Sequence, residues 1–135
     1  MTAIAKHLLP DNAAIAPDGQ MSIGGRMLSD VAAEFGTPVF VYDEEHLRAR
    51  CREAVASFGR ERVVYATKAF LCTAMARLAH EEGLLLDVAT GGELFVALNA
   101  GVPASHCVMH GNNKSDEELR TAITCLLYTS DAADE

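Results

Sequence analysis

Lys68 is the residue whose type and position most invite chemistry. It closes the apolar run Val63-Val64-Tyr65-Ala66-Thr67. If that run is a strand of a β/α protein, its C-terminal end lies where such folds build their sites. A desolvated core beside an ammonium favours the neutral amine. A free amine there is what Schiff-base formation with an aldehyde requires. The plain alternative is a lysine that snorkels from a strand end into water. Asp87 closes the next apolar run, nineteen positions on. Neighbouring parallel strands would put Lys68, with Ala66 just before it, and Asp87 on one rim. There the carboxylate could hold an ammonium or a cofactor's polar edge, or serve only as a salt bridge or loop cap.

A second polar group follows at His110-Gly111-Asn112-Asn113-Lys114. An imidazole, two amides and an amine on one loop suit a site better than a scaffold. Thr90-Gly91-Gly92-Glu93 has the T-x-x-E form of a helix capping box, and Ser115 to Glu118 repeats it as S-x-x-E. The paired glycines would let the backbone approach either a neighbouring helix or a ligand. His7, His46, His80, His106 and His110 show no metal-ligand spacing with cysteines or acids, so no metal is expected. His80 is expected near a helix C-terminus. The chain has no G-x-S-x-G elbow, no G-x-G-x-x-G and no G-x-x-x-x-G-K-[ST] loop. Asn113-Lys114-Ser115 matches a glycosylation sequon, which means little without a secretion signal.

The elements that must position these residues alternate. MSIGG (21–25) suggests a short strand, and Ser29 to Phe35 a helix with a serine cap, stopped by Gly36. TPVFVYD (37–43) suggests a strand. Leu47, Cys51, Val55 and Phe58 recur at helical steps over 44–58, ending at Gly59. Strands are then expected at 62–69, 84–90 and 106–111. Helices follow each of them: one carrying Leu71, Met75, Leu78 and Ala79 and closed by Gly83, one over 91–101, and one over 115–123. This is the rhythm of parallel β/α units. The continuous apolar strands suggest a sheet covered on both faces. An open doubly wound sheet and the start of a (β/α)₈ barrel both fit. A barrel takes roughly 250 residues, so 135 could not close one.

Half the residues are hydrophobic and 22% are charged, which is globular composition. A formal net charge of −8 disfavours nucleic-acid and anionic-membrane binding. No apolar stretch approaches the roughly 20 residues of a membrane helix, and the first residues do not form a secretion signal. The four cysteines, without a C-x-x-C pair, fit a reduced cytoplasmic protein. The last eleven residues, CLLYTSDAADE (125–135), break the helical period, which ends near Ile123. The string is similar to the in-frame translation of a sequencing adapter and is expected to be non-native, leaving a truncated gene product. The alternative is an apolar run with an acidic terminus. Removing it takes away three acids and no bases, moving the charge from −8 to −5.

GTPVFVYD (36–43), YATKAF (65–70), DVATGGELF (87–95) and HGNNKSDEEL (110–119) occur in that order. Together they resemble the N-terminal part of the diaminopimelate decarboxylase family, fold-type III pyridoxal-phosphate enzymes, from about residue 17 to about residue 124. The second and third segments resemble the wider group that includes ornithine and arginine decarboxylases; HGNNKS favours the diaminopimelate branch. The resemblance implies an α/β chain carrying the first units of a parallel (β/α)₈ barrel. Residues 1–28 would belong to a missing β-domain, 29–124 to the incomplete pyridoxal-phosphate-binding barrel, and 125–135 to the tail. By position Lys68 matches the lysine that binds the cofactor aldehyde. Ala66 and Asp87 match residues near the cofactor, and Glu93 matches a glutamate beside the site. The implied reaction is decarboxylation of meso-2,6-diaminopimelate to L-lysine and CO₂ in a cytoplasmic homodimer whose substrate is a small amino acid. Two alternatives are an ornithine- or arginine-type decarboxylase and a non-catalytic module binding a phosphorylated metabolite. The 135-residue chain alone is expected to be inactive and poorly soluble, since later barrel strands and the phosphate loop are missing from it.

Overall fold

A computed structural model describes residues 4–130. The chain divides into two compact units, Met1–Arg50 and Cys51–Glu135.

In the first unit, β1 (Ala14–Ile15), β2 (Met21–Ile23) and β3 (Arg26–Met27) form an antiparallel sheet in that order. Asp18 accepts the Gln20 N–H at the β1–β2 turn. Gly24 and Gly25, at φ +56° and +76°, close the two-residue β2–β3 hairpin. That turn demands positive φ at both central positions, which only glycine adopts freely. The expected strand over 21–25 is therefore β2 and its turn. The flanking two-residue strands are too short to leave a period. Helix α1 (Leu28–Phe35) starts one residue early, with Met27 at its N-cap and no side-chain cap. Ser29 instead donates to Gln20 Oε1. Gly36 ends α1 as expected, at φ +80° with its N–H on Ala32 O.

Residues 37–43 are not a strand. Val39, Phe40, Val41 and Tyr42 are exposed, and β-branched and aromatic residues become a strand only when a ladder partner is available. Helix α2 (Glu44–Phe58) follows, its first turn capped by Asp43, whose Oδ1 accepts the His46 N–H at 3.0 Å.

In the second unit, β4 (Val64–Ala66), β5 (Leu85–Val88) and β6 (Cys107–Met109) form a parallel sheet in the order β4-β5-β6. Helices α3 (Thr73–Glu81), α4 (Gly91–Asn99) and α5 (Asp116–Ser130) follow the three strands in turn. Register pairs Val64 with Leu85, Ala66 with Asp87, and Asp87 with Val108. Leu86 and Val88 are fully buried, on the side where α3 and α4 pack. The core continues through Met75, Leu78, Leu94 and Ala97.

Among the described residues, covering on both faces is not found. Along β5 burial alternates, with Leu85 and Asp87 partly exposed. Val64 and Val108, which their pairing puts on that same side, are each 44% exposed. The apolar runs thus serve a helix-packed side and an open side. Helix α5 also continues past Ile123 to Ser130. No Gly or Pro interrupts that stretch, and Leu126 and Leu127 are good helix formers. Residues 131–135, the remainder of the expected tail, lie outside the described residues.

Candidate functional site

The C-terminal ends of β4, β5 and β6 carry Lys68, Asp87 and His110 respectively. A short 3₁₀ turn, Thr67–Ala69, extends β4. Its first residue, Thr67, is 2% exposed, and its hydroxyl donates to Asp87 O at 2.7 Å. The Tyr65 hydroxyl donates to Phe70 O at 2.7 Å. The peptide bearing Lys68 is therefore pinned from both sides. Burial of the amine, expected from the sequence, is not observed. Thr67 takes the buried position and Lys68 is exposed. The Lys68 ammonium makes no hydrogen bond or ion pair among the described residues.

Asp87 lies opposite Ala66 in the ladder, two residues before Lys68. Its Oδ1 contacts His110 Nδ1, with the Asp87 side chain 25% exposed. The His110 N–H donates to Val88 O at 3.0 Å, prolonging the β5–β6 pairing beyond Met109. The sequence grouped His110 with a polar loop and gave it no partner. The available signal was positional, because His110 ends β6 as Asp87 ends β5.

Elsewhere in that loop, Lys114 has a structural role. Lys114 Nζ donates to Ala89 O at 2.9 Å and to His110 O, tying the loops after β5 and β6 together. Gly111, at φ +111°, has no room for a Cβ beside Lys114 Nζ. Asn112 and Asn113 are exposed.

Both capping boxes form. Thr90 Oγ1 accepts the Glu93 N–H at 3.2 Å, while Glu93 Oε2 reaches the Ala89 N–H at 2.6 Å, one residue earlier than the usual return. At α5, Ser115 Oγ accepts the Glu118 N–H at 3.2 Å and Glu118 Oε2 accepts the Ser115 N–H at 2.9 Å. The other Glu118 oxygen accepts the Gly91 N–H at 2.9 Å. Bonds from Gly91 and then Ser115 pull the Glu118 carboxyl down to about 2. A Cβ on Gly91 would come 3.2 Å from Glu118 Cγ. The close approach permitted by Gly91 is therefore to Glu118, not to a ligand, and the α4 N-terminus already holds an anion.

Chemically, the rim offers an unengaged primary amine (Lys68), a small residue (Ala66) and a carboxylate held by an imidazole (Asp87 and His110). An aldehyde-bearing, hydrogen-bonding cofactor fits that donor set. Its phosphate does not fit the occupied Gly91-Gly92 corner.

The family described as pyridoxal-dependent decarboxylase, pyridoxal binding domain, matches residues 44–134. A diaminopimelate decarboxylase of Mycobacterium leprae is 51% identical over 121 residues, covering 89% of this chain and 26% of the relative. One from Bacillus subtilis is 49% identical over 109 residues, covering 78% and 25%. Among solved structures, diaminopimelate decarboxylase from M. jannaschii aligns with TM-score 0.72 and 33% identity over 86% of this chain and 28% of that one. AQ1208 from Aquifex aeolicus aligns with TM-score 0.75 and 31% identity, over 84% and 28%. The chain thus spans about a quarter of the length of the curated relatives it matches.

Proposed function

The chain belongs to the pyridoxal-dependent decarboxylase family, and from that premise we propose that it is the N-terminal part of a decarboxylase acting on meso-2,6-diaminopimelate to give L-lysine and CO₂. The observation that carries the reading is the free Lys68 amine on the rim where His110 holds Asp87. Bound there, pyridoxal 5'-phosphate would supply the electron sink that lets a carboxylate depart as CO₂. Lys68 is the residue that would hold the cofactor, its Nζ condensing with the aldehyde and releasing water. The contact between His110 Nδ1 and Asp87 Oδ1 keeps the Asp87 carboxyl group directed at the rim. Thr67 and Tyr65 fix the backbone from which Lys68 extends. Ala66 adds only a methyl group opposite Asp87.

Residues 1–28, with the β1–β3 sheet, are proposed to contribute to a second, β-rich domain, and the whole protein to act as a homodimer. A cytoplasmic location is proposed from the thiols of Cys72 and Cys107, which form no disulfide among the described residues. No helix among the described residues is long and apolar enough to cross a membrane. An ornithine- or arginine-type substrate is the weaker reading, because the relatives above carry the diaminopimelate name. A non-catalytic module holding a phosphorylated metabolite is weaker still, because the matching family is described as pyridoxal-dependent decarboxylase.

The test is spectroscopic. The full-length protein, given pyridoxal phosphate, should show an imine band that borohydride fixes onto the Lys68 peptide, and Lys68→Ala should show neither. Fixation on another lysine, with turnover retained in Lys68→Ala, would overturn the reading.

A further inference from the structure

The N-terminal ends of β4–β6, opposite the Lys68 rim, carry a second group of polar residues. His80 lies in the last turn of α3. His106 ends the 3₁₀ turn that leads into β6. Glu61 precedes β4, where its N–H donates to Gly83 O at 2.9 Å. The two imidazoles meet edge to face, with ring centroids 5.1 Å apart and an interplanar angle of 69°. Their Nδ1 atoms are 3.3 Å apart and hydrogen-bonded, so an ion binding both would displace the proton between them. Glu61 Oε1 stands 3.9 Å from the other nitrogen of His106, Nε2.

Two imidazole nitrogens bound to one tetrahedral zinc ion, each at its usual bond length, are about 3.3 Å apart. A carboxylate on the far nitrogen of a ligating histidine keeps the proton on that nitrogen and frees the near one to bind. Glu61 faces that nitrogen of His106 at ion-pair distance rather than in a hydrogen bond.

We propose that His80 and His106 form a two-imidazole site for a divalent transition metal of the Zn²⁺ class, with Glu61 as its outer carboxylate. Among the described residues no group of three or more His, Cys, Asp or Glu could hold a metal. Water therefore completes the coordination, and binding is exchangeable rather than permanent. An ion here would tie the end of α3 to the entry of β6 and raise the thermal midpoint. The sequence showed no such site because the two histidines are 26 positions apart and meet only when β5 and β6 pair.

Titrating the full chain with Zn²⁺ alone in a non-coordinating buffer tests this. One ion should bind saturably. His80→Gln and His106→Gln should each abolish that binding, and Glu61→Gln should weaken it roughly tenfold. In the unsubstituted chain, Zn²⁺ should move the ring-nitrogen NMR signals of His80 and His106 but not those of His110, a readout that does not depend on the variants folding. No saturable binding, binding retained in either histidine variant, or ring shifts confined to other histidines would each overturn the site.

Discussion

Thr67 and Lys68 divide the work at the end of β4. The threonine is the buried anchor and the lysine is the exposed reagent. Thr67→Val keeps the side-chain shape but leaves Asp87 O without its 2.7 Å donor. Losing a part-buried hydrogen bond costs about 0.5–1.5 kcal/mol, so the denaturant midpoint should fall by that equivalent. Lys68→Ala removes a side chain that makes no hydrogen bond or ion pair with a described residue. It should leave stability within about 0.5 kcal/mol while eliminating borohydride-fixed pyridoxal. A loss of stability in Lys68→Ala as large as that in Thr67→Val would contradict the division. The sequence singled out Lys68 because an amine at a strand end is chemically conspicuous. Thr67 was missed because a threonine in an apolar run looks like ordinary strand composition, and its value depends on a carbonyl 20 residues away.

At the scale of elements, features set by neighbours in sequence were legible and those set by distant partners were not. The capping boxes at Thr90 and Ser115 need only a residue three positions on, and both form. The second oxygen of Glu118 reaches Gly91, 27 residues back, which no local pattern announces. The segment 37–43 has strand composition but no ladder. Glu118 gives this scale its prediction. Its carboxyl titrates at about 2 in the fold against an ordinary 4.5. A carboxyl depressed by folding contributes stability that is complete above the unfolded value. That contribution is lost as the pH falls from about 4.5 toward about 2. Thermal midpoints taken at neutral pH and near pH 3 should converge in Glu118→Gln relative to the unsubstituted chain. If the two chains lose stability equally on acidification, the bridge between α4 and α5 is not what the acid breaks.

For the parallel sheet as a whole, the order of β/α units was legible because polar–apolar period and glycine stops are local. Which side of the sheet is covered was not, because it depends on how many strands and helices assemble around it. Leu86 and Val88 are fully buried while Val64 and Val108 are each 44% exposed. The two sides should therefore respond oppositely to substitution. Leu86→Ala empties part of the core and should cost about 2–5 kcal/mol. Val64→Lys and Val108→Lys place charges on the outer strands of a three-stranded sheet, the device by which natural edges resist strand addition. They should raise the monomer fraction of the full chain in size-exclusion chromatography with light scattering. The far-ultraviolet spectrum should not change. Association undiminished in the double lysine variant would show that the chain sticks through another surface, and that the open side of β4–β6 does not govern its solubility.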